Sequence, residues 1–145
     1  MNAYQEMKDR QQKEFDAFPM GAAFSNQQFK DMMKKWGLTI NDTDKICSIG
    51  GGCYIRKTDK EALRDLINRL NKEKQDAIAA DLTGDGFIFD MFVYELANHE
   101  YCITYDLEET LDALGLTPEE VNADELLKHG LNKAIKYYLK NYKNL

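Results

Sequence analysis

The sequence predicts a mainly α (α+β) fold: a single-domain helical bundle around one central apolar helix, with a small β-hairpin over about residues 45–56. Three observations predict it. Only two prolines, Pro19 and Pro118, occur in 145 residues; both can sit at element boundaries, leaving long helices uninterrupted. Phe87 to Tyr101 is apolar on nearly every side, the mark of a buried helix. Two short β-rich runs flank Gly50-Gly51-Gly52, a hairpin pattern. The chain has the length of one ordinary domain, and a 43% hydrophobic fraction with seven Phe, eight Tyr and one Trp supplies a folded core.

The first helix is expected from about Asn2 to Ala17, with Tyr4, Met7, Gln11, Phe15 and Phe18 near helical spacing on one face. Pro19 turns Phe18 away from helix, and Gly21 loosens the turn after it. Ser25 is placed to cap a second helix over about Asn26 to Trp36. Its apolar stripe is Phe29, Met32, Met33 and Trp36, and Gly37 suits the left-handed residue that ends it. In NDTDKICSIGGGCYIRKTD, the runs either side of the glycines alternate as strands do. A phosphate-cradling loop needs a G-x-G-x-x-G or G-K-[ST] pattern that is missing, so the glycines read as a three-residue hairpin turn.

Thr58 and Glu61 fit a capping box that opens a third helix to about Ala80, with Leu63, Leu66, Ile67, Leu70, Ala77 and Ile78 as its core stripe. Leu82-Thr83-Gly84-Asp85-Gly86 is a turn before the central helix, Phe87 to about Tyr101. Tyr101 to Tyr105, β-branched and aromatic, is available as a third strand beside the hairpin. Asp106 caps a short helix, Leu107 to Leu114, closed by Gly115. Thr117-Pro118-Glu119-Glu120 opens the next, with acids against the helix dipole. The last helix runs from Glu125 to about Lys143. Its stripe is Leu127, Leu131, Ala134, Ile135, Tyr138 and Tyr142, and Lys128, Lys133, Lys136 and Lys140 lie outside it.

Charge is strongly polarised. Asp81 to Glu125 holds thirteen Asp or Glu and no Lys or Arg, whereas residues 126–145 hold five Lys and no acid; the whole chain is −6. The first half of the acidic stretch belongs to the buried helix. Exposed negative charge is therefore expected on Asp106, Glu108, Glu109, Asp112, Glu119, Glu120, Asp124 and Glu125. With no base in the block, these carboxylates need remote lysines or remain a negative surface, which attracts basic partners. Direct nucleic-acid binding, which needs clustered Lys and Arg, is disfavoured.

Other sites are weighed against plainer readings. Asp81 to Ile88 places oxygen side chains at positions 1, 3 and 5 of a calcium loop and Gly at 6, but position 12 is Phe92 in place of the bidentate Glu. The plainer reading is a helix–helix turn with Gly86 at positive φ and Asp85 capping. Glu95 and His99, with Asp90 and Glu100 nearby, form a weak metal-ligand pattern without H-E-x-x-H spacing. His129 reads as a surface residue. Cys47, Cys53 and Cys102 have no metal or catalytic spacing. A Cys47–Cys53 disulfide is geometrically conceivable, but reduced thiols in a cytoplasmic protein are the favoured reading. The N-terminus has no apolar run after its first charges, and no stretch is long enough to span a membrane, so neither a leader nor a membrane partner is expected. No cofactor is called for.

MNAYQEMKDRQQKEFDAFP, the GLTINDTDKICSIGGGCYIRKTD region, TGDGFIFDMFVYELANHEYCITYD and TLDALGLTPEEVNADELLKHGLNKAI together cover nearly the whole chain. It resembles a family of small acidic proteins with a domain of unknown function, encoded on phages and conjugative elements of gut bacteria; ELANHEY and LDALGLT are the most specific segments. Similar proteins from such elements include inhibitors of type II-A CRISPR nucleases. The resemblance implies a non-enzymatic, inhibitor-type binding protein: an anti-CRISPR that binds Cas9 or its guide-RNA complex and blocks DNA recognition or cleavage through the acidic surface. It implies no catalytic residue. Two other readings stay open. One is a mobile-element accessory or regulatory protein bound to another host or element protein. The other is a small metal-dependent enzyme built on Asp90, Glu95, His99 and Glu100.

Overall fold

Helix α4 (Phe87–Asn98) is the centre of the larger of two compact units. Ile88, Met91, Phe92, Glu95 and Leu96 are buried, and the helix packs along α8 (Glu125–Tyr142) and against α6 (Glu108–Leu114). A computed structural model describes residues 2–142. Lys143, where the last helix was expected to end, and the side chain of Tyr142 lie outside what is described. The remaining helices are α1 (Ala3–Asp16), α2 (Asn26–Lys35), α3 (Lys60–Ala80), α5 (Tyr101–Thr104) and α7 (Pro118–Ala123). The strands are β1 (Gly21–Ala22), β2 (Ile46–Gly50) and β3 (Cys53–Arg56). The fold is therefore mainly α with a small antiparallel sheet. Among the described residues, no helix is long and apolar enough to cross a membrane.

One unit comprises the chain to Gln11 together with Lys72 onward; the other is Gln12–Asn71, so the divisions fall inside α1 and α3. The first unit's core joins Tyr4 and Met7 of α1 to α4, to Leu111 and Leu114 of α6, to Val121 of α7 and to Leu127, Leu131, Ala134 and Tyr138 of α8. Gly130 lets α8 approach the start of α4. A Cβ there would lie 2.4 Å from Ile88 Cγ2 and 2.9 Å from the Gly84 carbonyl oxygen. In the second unit the buried apolar residues are Met32, Met33, Ile55 and Leu63.

The third strand is not Tyr101–Tyr105. Gly21 pairs with Tyr54 and Ala22 with Cys53, giving the order β1-β3-β2. Gly21 fits because any Cβ would meet Met32 Sδ at 2.5 Å. Residues 101–104 instead make one helical turn between two left-handed residues, Glu100 (φ 55°) and Tyr105 (φ 55°). Packing overrides their β-propensity: the Tyr101 ring lies 6.2 Å from that of Tyr138, and the Cys102 N–H donates to the Tyr138 hydroxyl at 3.3 Å. Glu100 also stops α4 short of the expected Tyr101. The hairpin turn has two residues, because Gly50 already pairs with Cys53. Gly51 and Gly52 take φ of 61° and 77°, as a tight hairpin turn demands. A 3₁₀ turn, Lys57–Asp59, precedes α3 and takes up Thr58, the expected N-cap, so that α3 starts at Lys60.

Candidate functional site

The acidic face is built on two short helices, each held from beneath by apolar side chains. Thr110, Leu111 and Leu114 bury one side of α6, and Val121 anchors α7. Asp106 Oδ1 accepts the Glu108 N–H at 2.9 Å. At the other end Gly115 (φ 70°) closes α6, and the Leu116 N–H returns to the Leu111 carbonyl at 2.9 Å, the usual economy of a left-handed C-terminus. Lys74 Nζ donates to the Leu114 carbonyl at 3.0 Å, a cation at the negative end of that helix. Thr117 caps α7 through the Glu120 N–H at 3.2 Å. Asp124 Oδ1 caps α8 through Leu126 and Leu127 at 3.0 and 3.2 Å.

All eight predicted carboxylates are exposed. They divide by what they already do. Asp106 is not the N-cap of α6 as expected, because the helix starts at Glu108 with Leu107 as N-cap, but it accepts the Glu108 N–H from one residue further out; Glu120 and Asp124 have capping roles. Glu109 Oε2 lies 3.6 Å from His99 Nδ1. Glu108, Asp112, Glu119 and Glu125 take up no side-chain hydrogen bond or ion pair among the described residues, and none of the eight pairs with Lys128, Lys133, Lys136 or Lys140. Three of the eight, Asp106, Glu108 and Asp112, line a groove of about 500 Å³ that has Leu107, Leu111 and Leu116 along it. The acids were legible from composition. The leucines were passed over, although Leu107 and Leu111 stand four residues apart in the acid run and so share one helix face.

The turn before α4 holds its own donors. Asp81 Oδ1 accepts the N–H groups of Thr83 (3.2 Å) and Gly84 (2.9 Å) and the Thr83 hydroxyl (3.2 Å). Its Oδ2 accepts those of Gly86 and Ile88, each at 3.0 Å. Burial would raise this carboxyl, but the N–H bonds from Ile88, Thr83, Gly84 and Gly86 more than offset it and hold it below the ordinary range. Asp81 is thus the cap, not Asp85, and Gly84 (φ 80°) rather than Gly86 takes the left-handed conformation. Asp85 instead receives His129 Nε2 at 2.8 Å and Lys133 Nζ at 2.9 Å.

Glu95 is fully buried. Its Oε1 accepts the Tyr4 hydroxyl (3.0 Å) and Lys8 Nζ (2.9 Å), and its Oε2 meets His99 Nε2 at 3.1 Å. Burial alone would raise the Glu95 carboxyl. The hydrogen bond and charge of Lys8, with Tyr4 and His99, reverse that and lower it. Burial and the Glu95 charge in turn push the Tyr4 phenol up, and burial lowers the Lys74 ammonium. The proposed metal set does not converge: Asp90 Oδ2 is occupied by the Ala3 N–H at 2.9 Å, Glu100 is exposed, and no group of three or more His, Cys, Asp or Glu suited to a metal occurs among the described residues. Lys8 and Tyr4 were missed as partners because they stand 87 and 91 residues from Glu95 and no local pattern links them. All three cysteines are free thiols.

No curated protein and no solved structure matches the chain. A family model described as a family of unknown function matches residues 3–137, nearly the whole length, and the chain therefore belongs to that family, DUF7659.

Proposed function

We propose that the chain is a non-enzymatic binding protein that offers the acidic face of α6 and α7, with its leucine-lined groove, to a basic surface on a partner protein. One observation carries this reading. Eight carboxylates are exposed on and beside α6 and α7, three of them (Asp106, Glu108 and Asp112) line a groove that also holds three leucines, and no lysine of α8 neutralises them. A helix face that only solubilised the protein would have no need of the groove. Apolar contact supplies affinity, while unpaired carboxylates steer and select a cationic partner.

The partner surface this fits best is one that normally reads nucleic-acid phosphates and bases through arginines. Cas9, alone or loaded with guide RNA, presents such a surface where it reads the PAM. The resemblance to small acidic proteins of phages and conjugative elements supports the same choice, an anti-CRISPR of the type II-A class. The test is plasmid cleavage by guide-loaded type II-A Cas9 orthologues in the presence of excess purified chain. Inhibition that falls with rising salt, and is lost in a Glu108→Lys/Asp112→Lys/Glu119→Lys variant, is the expected result. Unchanged cleavage across several orthologues refutes the Cas9 assignment.

A further inference from the structure

The sheet of the second unit has an unguarded edge. In the order β1-β3-β2, the outer side of β2 carries no neighbouring strand among the described residues. Natural edges are usually protected by a charge, a proline or a covering element. The residues of β2, Ile46 to Gly50, include neither charge nor proline, and the irregularity between Ser48 and Gly50 lies only at its far end.

A cleft of about 380 Å³ runs beside this edge, between the hairpin and the start of α3. Ile55 and Leu63 are buried in its lining, whereas Ile49 and Ile67 are 39% and 41% exposed. Such side chains left at the rim of an apolar cleft are what an interface core covers. Lys60 and Arg64 also line it. They stand four residues apart and so on one face of α3. Both are exposed, and neither has an ion pair among the described residues. The neighbouring acids Glu61 and Asp65 fall a step around the helix, outside the lining.

We propose that β2 and this cleft take an extended acidic segment of a partner protein as an added strand. Main-chain hydrogen bonds to the open edge supply the pairing, and alternate side chains point into the cleft. Those near Ile49, Ile55 and Ile67 are aliphatic; those near Lys60 and Arg64 are carboxylates. A second copy of this chain, pairing β2 with β2, fits less well, since that strand brings no carboxylate to either cation. This cleft shares no lining residue with the groove of the acidic face and selects the opposite charge.

The experiment is a fluorescence-anisotropy titration of the full-length chain into a short labelled peptide alternating Val and Glu. Saturable binding is expected, with none for the same peptide carrying Lys for Glu, or Pro at its central Val. A Lys60→Glu/Arg64→Glu variant with an unchanged far-UV CD spectrum should bind roughly tenfold more weakly, the worth of two partly exposed charge contacts. Ile49→Glu, at an exposed position, should weaken binding independently, while Glu108→Lys should leave it intact. No saturation, equal binding of the Lys peptide, or full affinity in both cleft variants overturns the proposal. So does self-association through β2, lost in Ser48→Pro, without peptide binding.

Discussion

The two units use nearly the same range of side chains to different ends. The first, residues 1–11 with 72–145, has nine Lys or Arg against seventeen Asp or Glu, a formal −8; the second has ten against eight, a formal +2. Among the described residues, thirteen of the buried apolar ones belong to the first and four to the second. At about 1.5–3 kcal/mol for each fully buried large aliphatic or aromatic side chain, burial contributes roughly three times as much to the first unit as to the second. Each leaves four large apolar residues exposed among the described ones, Leu82, Ile103, Tyr105 and Tyr137 in the first and Phe24, Ile40, Ile49 and Ile67 in the second, which is the shorter of the two. Unit one spends its carboxylates on caps, one buried network and a surface, and tolerates its charge because the core is deep. In the second, apolar groups and cations remain together at the surface, the composition of an interface waiting for a partner.

The largest effect that can break this comparison is at Glu95. Glu95→Ala leaves Lys8, Tyr4 and His99 around an emptied site and should cost about 3–5 kcal/mol, the penalty for removing one partner of a buried charged network, read from urea unfolding. A loss near zero would mean that the network does not support the core. The same residue sets an acid limb. Its carboxyl titrates below the ordinary 4.5 in the folded protein, so the folded state binds fewer protons than the unfolded one there. The contribution is complete above about pH 4.5 and drains away as pH falls through the lowered value. Lys8→Met removes the charge that lowers it, and the acid-unfolding midpoint followed by far-UV CD should move to higher pH.

Next in size is Gly130. An ordinary helix interior gains about 1 kcal/mol on Gly→Ala. Here the new methyl meets Ile88 and the Gly84 carbonyl, so Gly130→Ala should instead destabilise by about 1–3 kcal/mol, the usual cost of overpacking. A gain in the thermal midpoint would show that the contact of α8 with the start of α4 relaxes freely. Hydrogen exchange sharpens the contrast without mutation. Amides of β2 and β3 should exchange at a lower opening free energy than those of α4 and of residues 131–138 in α8, because local stability follows buried apolar contact. Equal protection would remove the distinction between the two units.

What was legible in the sequence follows the same division. In the first unit, apolar periodicity and strong end signals mark α4, the cap at Thr117-Pro118 and the stop at Gly115, and each of these elements forms. Asp81 was seen only as part of an ion loop, since its capping role depends on where five donors converge. The Glu95 network was hidden because Tyr4 and Lys8 reach it from the other end of the chain. In the second unit the hairpin was legible from its glycines, but β1 was not: a two-residue strand has no periodicity to read, and its pairing depends on Gly21 tolerating Met32. Tyr101–Tyr105 misled for the converse reason. Its residue types favour strand, while Tyr138 and two left-handed residues favour one helical turn.

The smallest expected effect concerns the acidic face, and its smallness is the point. Glu108, Asp112, Glu119 and Glu125 support no side-chain hydrogen bond or ion pair among the described residues, so Glu108→Gln/Asp112→Asn should change stability by no more than about 0.5 kcal/mol, as exposed substitutions usually do. Glu119→Gln should fall in a similar range, within about 1 kcal/mol, because Glu108 and Glu119 alike stand in the first turn of their helices, at the positive end of the dipole. Asp124→Ala, which removes the cap of α8, should cost about 1 kcal/mol, and Asp106→Ala, which removes a single N–H acceptor outside the N-cap of α6, should cost less. Urea titrations of the four variants therefore separate two kinds of carboxylate on one surface. If neutralising Glu108 and Asp112 proved stabilising by relief of mutual repulsion, those charges would be retained against the interest of the fold, as a surface kept for a partner requires. If it proved strongly destabilising, the face would be structural, and the contrast with the cation-bearing cleft of the second unit would lose its meaning.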